Sequence, residues 1–276
     1  MTHSFLLIGQ SNMSGRGLLT AENRIADARI VRLVNGRWQP MWEPLSADRP
    51  FAGASLAPAF AAEYLRHTSE RVGLIPASDG GSSIDEWQPG EALYDHAVSE
   101  ARLAMRDSEL KAIFWHQGEA DCNPERAARY KQKFLTMFRA LQNDLSLPDI
   151  KIYVGGLGDY LERCTLDANL AHYAHFNDIL KELAAEHEDI RFVSAKGLGA
   201  KEDNLHFNTE ALREFGRRYF AVYAADHPEL ACSVASSDCK EPSPAEQLVL
   251  MQEKKKRGEI SDSEYDAFIK RYIATL

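Results

Sequence analysis

Ser4-Phe5-Leu6-Leu7-Ile8 runs directly into Gly9-Gln10-Ser11-Asn12-Met13. The first five residues are mostly apolar and do not alternate, as in a strand covered on both faces. The next five are polar and glycine-led, which reads as a loop. Four further runs of about five residues repeat the first pattern, at 72–76, 112–116, 151–154 and 189–193. Helical spacing fills the intervals. Asn123-Pro124 predicts an N-cap followed by proline in the first turn. After it, Tyr130, Phe134, Met137, Phe138, Leu141 and Leu145 fall on one helical face. Stretches 93–105, 170–183 and 209–223 read the same way. Strand–helix alternation predicts a parallel sheet with helices on both faces.

Ligands of such sheets bind beyond the carboxyl ends of the strands, and the loops there hold the unusual chemistry. They are Gly9-Gln10-Ser11-Asn12-Met13, Ala77-Ser78-Asp79-Gly80-Gly81-Ser82-Ser83, Gln117-Gly118-Glu119-Ala120-Asp121 and Asp203-Asn204-Leu205-His206. Ser11 is the candidate nucleophile and His206 the base that takes its proton. Asp203, three residues earlier, would fix the imidazole tautomer and stabilise the imidazolium. The order Ser, Asp, His matches α/β-hydrolases, but the G-x-S-x-G elbow is absent. Oxyanion donors are expected from the Ser11 N–H, from the Gly80-Gly81 backbone and from the Gln117 amide. Gln10, Asn12 and Trp87 are the candidate substrate contacts. Trp38 and Trp42 are the other tryptophans considered for a sugar-stacking groove.

The length of 276 residues fits one large domain, or one with a small appendage. Apolar residues at 45% and charged residues at 26% exclude a disordered or disulfide-scaffold chain. The 41 acidic against 32 basic residues give a net charge of −9, unfavourable for nucleic acid or anionic membranes. No run reaches the roughly 20 apolar residues of a membrane span. No signal peptide is read at the N-terminus, so a cytoplasmic location is the default expectation, with export open if a leader was removed. The four cysteines show no zinc spacing, although Cys232 and Cys239 could pair in an exported protein. No metal or organic cofactor is expected.

Residues 232–244 are rich in Ser, Ala, Asp and Pro and read as a linker. A helix follows from 245 to 257, then Gly258. Ser261 and Glu264 match a capping box before a second helix with Tyr265, Phe268, Ile269, Tyr272 and Ile273 on one face. The expected division is a catalytic domain at 1–228, a linker at 229–244 and a helical hairpin at 245–276. About 30 residues bury little alone, so the hairpin needs a partner surface, either this domain, a second copy or another protein.

The blocks G-Q-S-N-M (9–13), G-G-S-S-I-D-E-W (80–87), H-Q-G-E-A-D (116–121) and D-N-L-H (203–206) together resemble SGNH-type hydrolases. More narrowly, they resemble the sialate O-acetylesterase and acetylxylan esterase branch, carbohydrate esterase family 6. The resemblance runs from about residue 3 to about residue 226. It implies a flavodoxin-like three-layer α/β/α sandwich around about five parallel strands. It also implies that Ser11 is the nucleophile, His206 the base and Asp203 the third member, with Gly81, Gly80 and Gln117 at the oxyanion. Glu119 of H-Q-G-E is the rival acid in this branch. The implied activity is removal of short acyl groups, acetyl above all, from carbohydrate hydroxyls through an acyl-enzyme. Lipid or thioester acyl groups, or a non-catalytic carbohydrate-binding scaffold, are the alternatives. Residues 253–273 resemble a SHOCT module, which implies an interaction or oligomerisation element.

Overall fold

The computed structural model describes residues 1–232 and 244–274. The five expected strands form at β1 (Thr2–Gly9), β4 (Arg71–Pro76), β5 (Glu109–His116), β6 (Ile152–Gly155) and β7 (Ile190–Val193). They lie in the order β4-β1-β5-β6-β7, every neighbouring pair parallel. Two strands were not anticipated and bring the sheet to seven. β2 (Ile30–Val34) adds parallel to β4, and β3 (Arg37–Pro40) closes that edge antiparallel to β2. Asn35 and Gly36 join them with φ of 50° and 69°. Positive φ at both central residues is the tight hairpin that Asn-Gly favours.

β1 is the middle of the original five, and its Phe5, Leu6, Leu7 and Ile8 are all buried. Adjacent residues of β5 face opposite layers, as strand geometry requires. Phe114 packs on Phe60 and Tyr219, from helices α2 (Ala57–Tyr64) and α6 (Thr209–Asp226). Trp115 packs on Phe134 of helix α4 (Pro124–Asp144), which shares its face with α3 (Ala92–Ala104) and α5 (Tyr173–Glu186). The structure is therefore a three-layer α/β/α fold. Asn123 caps α4 as expected, its side chain accepting the Arg126 N–H at 2.8 Å. α2 had no counterpart in the sequence reading. Six of its eight residues are buried, so no polar face gives it a helical period.

Two tail helices, α7 (Pro244–Lys256) and α8 (Asp262–Ile273), form the expected hairpin, with the Ser261–Glu264 capping box in place. The turn between them reaches the main domain through Arg24–Glu259 and through an Arg257 donor to the Glu43 carbonyl. The linker expected at 229–244 begins as a 3-10 turn, Pro228–Cys232. Its remainder up to residue 243, and with it the Cys232–Cys239 pairing, lies outside the described residues. No helix among the described residues is long and apolar enough to cross a membrane.

Candidate active site

The chain leaves β1 toward β4 and later crosses back to β5. The crevice beyond their carboxyl ends is where sheets of this type hold ligands. Gly9 makes the exit. Its φ is +124°, and a Cβ there would lie 2.1 Å from the His116 carbonyl oxygen of β5. Only glycine permits both the conformation and the approach. Ser11 follows as the first residue of a single-turn helix, α1 (Ser11–Ser14).

The loop from β7 to α6 delivers an imidazole. His206 Nε2 lies 3.1 Å from Ser11 Oγ, and His206 Nδ1 lies 2.8 Å from Asp203 Oδ2. The other Asp203 oxygen accepts the backbone N–H groups of Leu205 and His206, at 2.9 and 3.0 Å. Asn204 between them takes a left-handed φ of 47°, which asparagine tolerates. Burial works to raise the Asp203 carboxyl, but the His206 contact and the two backbone donors outweigh it and hold it below the usual carboxylate value. Hydroxyl, imidazole and carboxylate thus stand in a row, an arrangement able to activate a hydroxyl for attack on an ester.

The N–H groups of Ser11 and Gly81 have no acceptor among the described residues. Gly81 has a φ of +84°, and a Cβ there would meet open space. The Gly80 N–H, by contrast, is engaged. It donates to Asp48 Oδ2 at 2.9 Å, and that carboxylate also pairs with Arg16 at 2.6 Å. Both ion-pair side chains are 3% exposed. A Cβ on Gly80 would fall 2.4 Å from the Arg16 guanidinium. The pair therefore ties the serine segment to the glycine loop. Nothing local in the sequence joins Arg16 to Asp48, 32 residues apart.

Several expected contacts are struts instead. Gln117 is fully buried, and its amide donates to the Ser82 carbonyl at 3.1 Å and to Asp121 at 2.5 Å, so it offers nothing to a ligand. Asp121 in turn accepts the Ile84 N–H at 2.8 Å, bracing the glycine loop. Burial pushes the Asp121 carboxyl up, against the Ile84 and Gln117 donors. Asn12 is fully buried and is not a substrate contact. It donates to Glu119 at 2.6 Å and to the Leu205 carbonyl at 3.3 Å, and accepts the Phe207 N–H at 3.1 Å. One Glu119 oxygen is thus taken by Asn12 while the other is buried without a partner, and it is Asp203 that meets the imidazole. The Gln10 side-chain Oε1 accepts the Gly118 and Ala120 N–H groups at 3.3 and 3.4 Å. Trp87 is buried edge-on against Trp115, its Nε1 donating to Ser82 Oγ at 3.0 Å. Trp87, 1% exposed and bonded through its only polar atom, is therefore not a substrate contact. No group of three His, Cys, Asp or Glu side chains among the described residues could hold a metal ion.

A row of this kind at the carboxyl edge of a parallel sheet defines a hydrolase-like α/β protein. A model of the carbohydrate esterase, sialic acid-specific acetylesterase (SASA) family matches residues 1–225, and the chain belongs to that family. It is a carbohydrate esterase of the acetylesterase type. The Arabidopsis thaliana protein named "Probable carbohydrate esterase At4g34215" is 29% identical over 248 residues, covering 80% of this chain and 90% of its own. The crystal structure of that plant protein matches with a TM-score of 0.72 at 28% identity, over 81% of this chain and 98% of its own. NanS shares the fold, with a TM-score of 0.67 at 18% identity over 83% and 98% of the two chains. So does XAC1771, a carbohydrate acetylesterase from Xanthomonas citri, with a TM-score of 0.60 at 16% identity over 81% and 55%.

Proposed function

We propose that Ser11 is the nucleophile of a serine esterase that removes acetyl groups from sugar hydroxyls. The carrying observation is the 3.1 Å contact between Ser11 Oγ and His206 Nε2, backed by Asp203 at 2.8 Å. His206 takes the Ser11 proton as the oxygen attacks the ester carbonyl. The tetrahedral oxyanion is received by the Ser11 and Gly81 N–H groups, and each such donor is worth about 2.7–4 kcal/mol of barrier. His206 then protonates the departing sugar oxygen. Water, deprotonated by the same imidazole, releases acetate and restores Ser11. The same two N–H groups receive the second oxyanion, and Asp203 holds the imidazole orientation throughout.

The narrower reading, carbohydrate esterase family 6, is supported by the four blocks at 9–13, 80–87, 116–121 and 203–206 taken together. The hairpin at 245–276 is read as a separate, SHOCT-like interaction module outside the residues 1–228 that carry the chemistry.

Ser11→Ala should keep the wild-type circular dichroism spectrum. It should lose acetate release from O-acetylated N-acetylneuraminate, acetylated xylose and 4-nitrophenyl acetate by about 10⁴-fold or more. Wild-type rates in the folded variant would sink the assignment. A rate that rises from acetyl to longer acyl chains would instead favour lipid-type substrates.

A further inference from the structure

An esterase acting on carbohydrate must hold a pyranose ring as well as the acyl group, and this inference rests on that reading. The tryptophans are committed elsewhere. Trp87 and Trp115 are buried, Trp42 lies 3.3 Å beneath the Arg32 guanidinium, and Trp38 donates to Asp107. Among the exposed large apolar side chains are Leu18 at 74% and Phe51 at 69% exposure. Their segments are joined by Gly17 and Ala54, which exchange backbone hydrogen bonds of 3.2 and 2.8 Å. Leu18 lies toward the base, since its carbonyl accepts the Thr209 hydroxyl at 2.7 Å, three residues beyond His206. Phe51 lies toward the oxyanion loop. Its ring centroid is 5.3 Å from the Arg16 guanidinium carbon, and that guanidinium abuts Gly80.

We propose that Phe51 is the stacking platform for the sugar ring of the acetylated substrate, with Leu18 as the flanking wall. A pyranose offers one face of polarised C–H bonds, and an aromatic face attracts such groups while shedding water. Arg16 holds the ring against one side, so little side-chain freedom is lost when a ligand covers the other. An exposed phenylalanine with no ligand leaves apolar area in water, a cost that a sugar would relieve.

The test compares a sugar ester with ethyl acetate, which has no ring to stack. The sugar ester is O-acetylated N-acetylneuraminate or acetylated xylose, whichever the wild type hydrolyses faster. In Phe51→Ala the KM for the sugar ester should rise about tenfold with kcat nearly constant, the effect of losing one aromatic contact. The kcat/KM ratio of sugar ester to ethyl acetate should fall by the same factor, and Phe51→Trp should restore it. Equal losses on both esters would show that Phe51 merely covers the Arg16–Asp48 pair, and would overturn the proposal. An unchanged KM for the sugar ester would overturn it as well. Ser11→Ala in the same assays keeps the readings apart: if it retains activity, the esterase mechanism fails, whatever Phe51 does.

Discussion

Asp203 divides its two oxygens between tasks, one on the imidazole and one on the backbone of its own turn. Glu119, only 6% exposed, gives an oxygen to Asn12 instead. Asp203→Asn should therefore lower kcat by about 10²–10⁴-fold, because the wrong tautomer of His206 is favoured. Glu119→Gln still presents an acceptor to Asn12 and should cost less than about tenfold. Comparable losses in both variants would reinstate Glu119 as the acid. The Asp203 carboxyl also has a signature in stability. Its folded pKa lies below the ordinary 3.8, so its contribution is present above that value and disappears as pH falls through the depressed one. Melting curves should separate wild type from Asp203→Asn at neutral pH and converge well below pH 3.8. A gap that stays constant with pH would contradict that.

Among the elements, α4 shows how local chemistry sets a boundary. Asn123 accepts the Arg126 N–H, Pro124 opens the helix, and Ala127, Tyr130, Phe134, Met137, Phe138 and Leu141 enter the core. Asn123→Ala should cost about 1 kcal/mol and lower Tm by about 2–4 °C in a protein of this size. Calorimetry showing no loss would mean that packing alone fixes the end. The β2–β3 pair shows the opposite case. Arg32 interrupts the apolar run at 30–34, and its guanidinium is drawn into contacts with the Pro44 and Leu45 carbonyls and the Trp42 ring. That charge hides a strand from a reading based on continuous burial. Asn35-Gly36 was the signal available for the hairpin.

Across the whole molecule, the reaction gap is assembled from three distant segments and pinned by charge. Asp48, from the segment between β3 and α2, binds Arg16 beyond the serine and Gly80 of the glycine loop. Burial and that pairing oppose each other at Asp48, and the Arg16 and Gly80 contacts win, so its carboxyl stays below the usual range. Asp48→Ala would leave the Arg16 charge buried and alone, a loss of about 3–5 kcal/mol. Urea denaturation should show it as a lower midpoint. A near-neutral result would mean that Arg16 escapes to solvent and that the tie is dispensable.

The strands at the centre of the sheet and the helix caps were legible from local pattern, whereas Ser11 and His206 stood out only through the four blocks taken together, and the choice between Asp203 and Glu119 stayed open. Unbroken burial, cap chemistry and glycine punctuation act over a few residues, so they survive in a linear chain. The sequence also marked Gln10, Asn12, Gln117 and Glu119 as special but could not say which way each would face. That was decided by partners as far as 195 residues away, the separation of Asn12 from the Phe207 N–H. A polar side chain becomes a strut or a ligand contact according to whether the fold brings it an internal partner. Burial without one is costly, and only the assembled sheet determines who arrives.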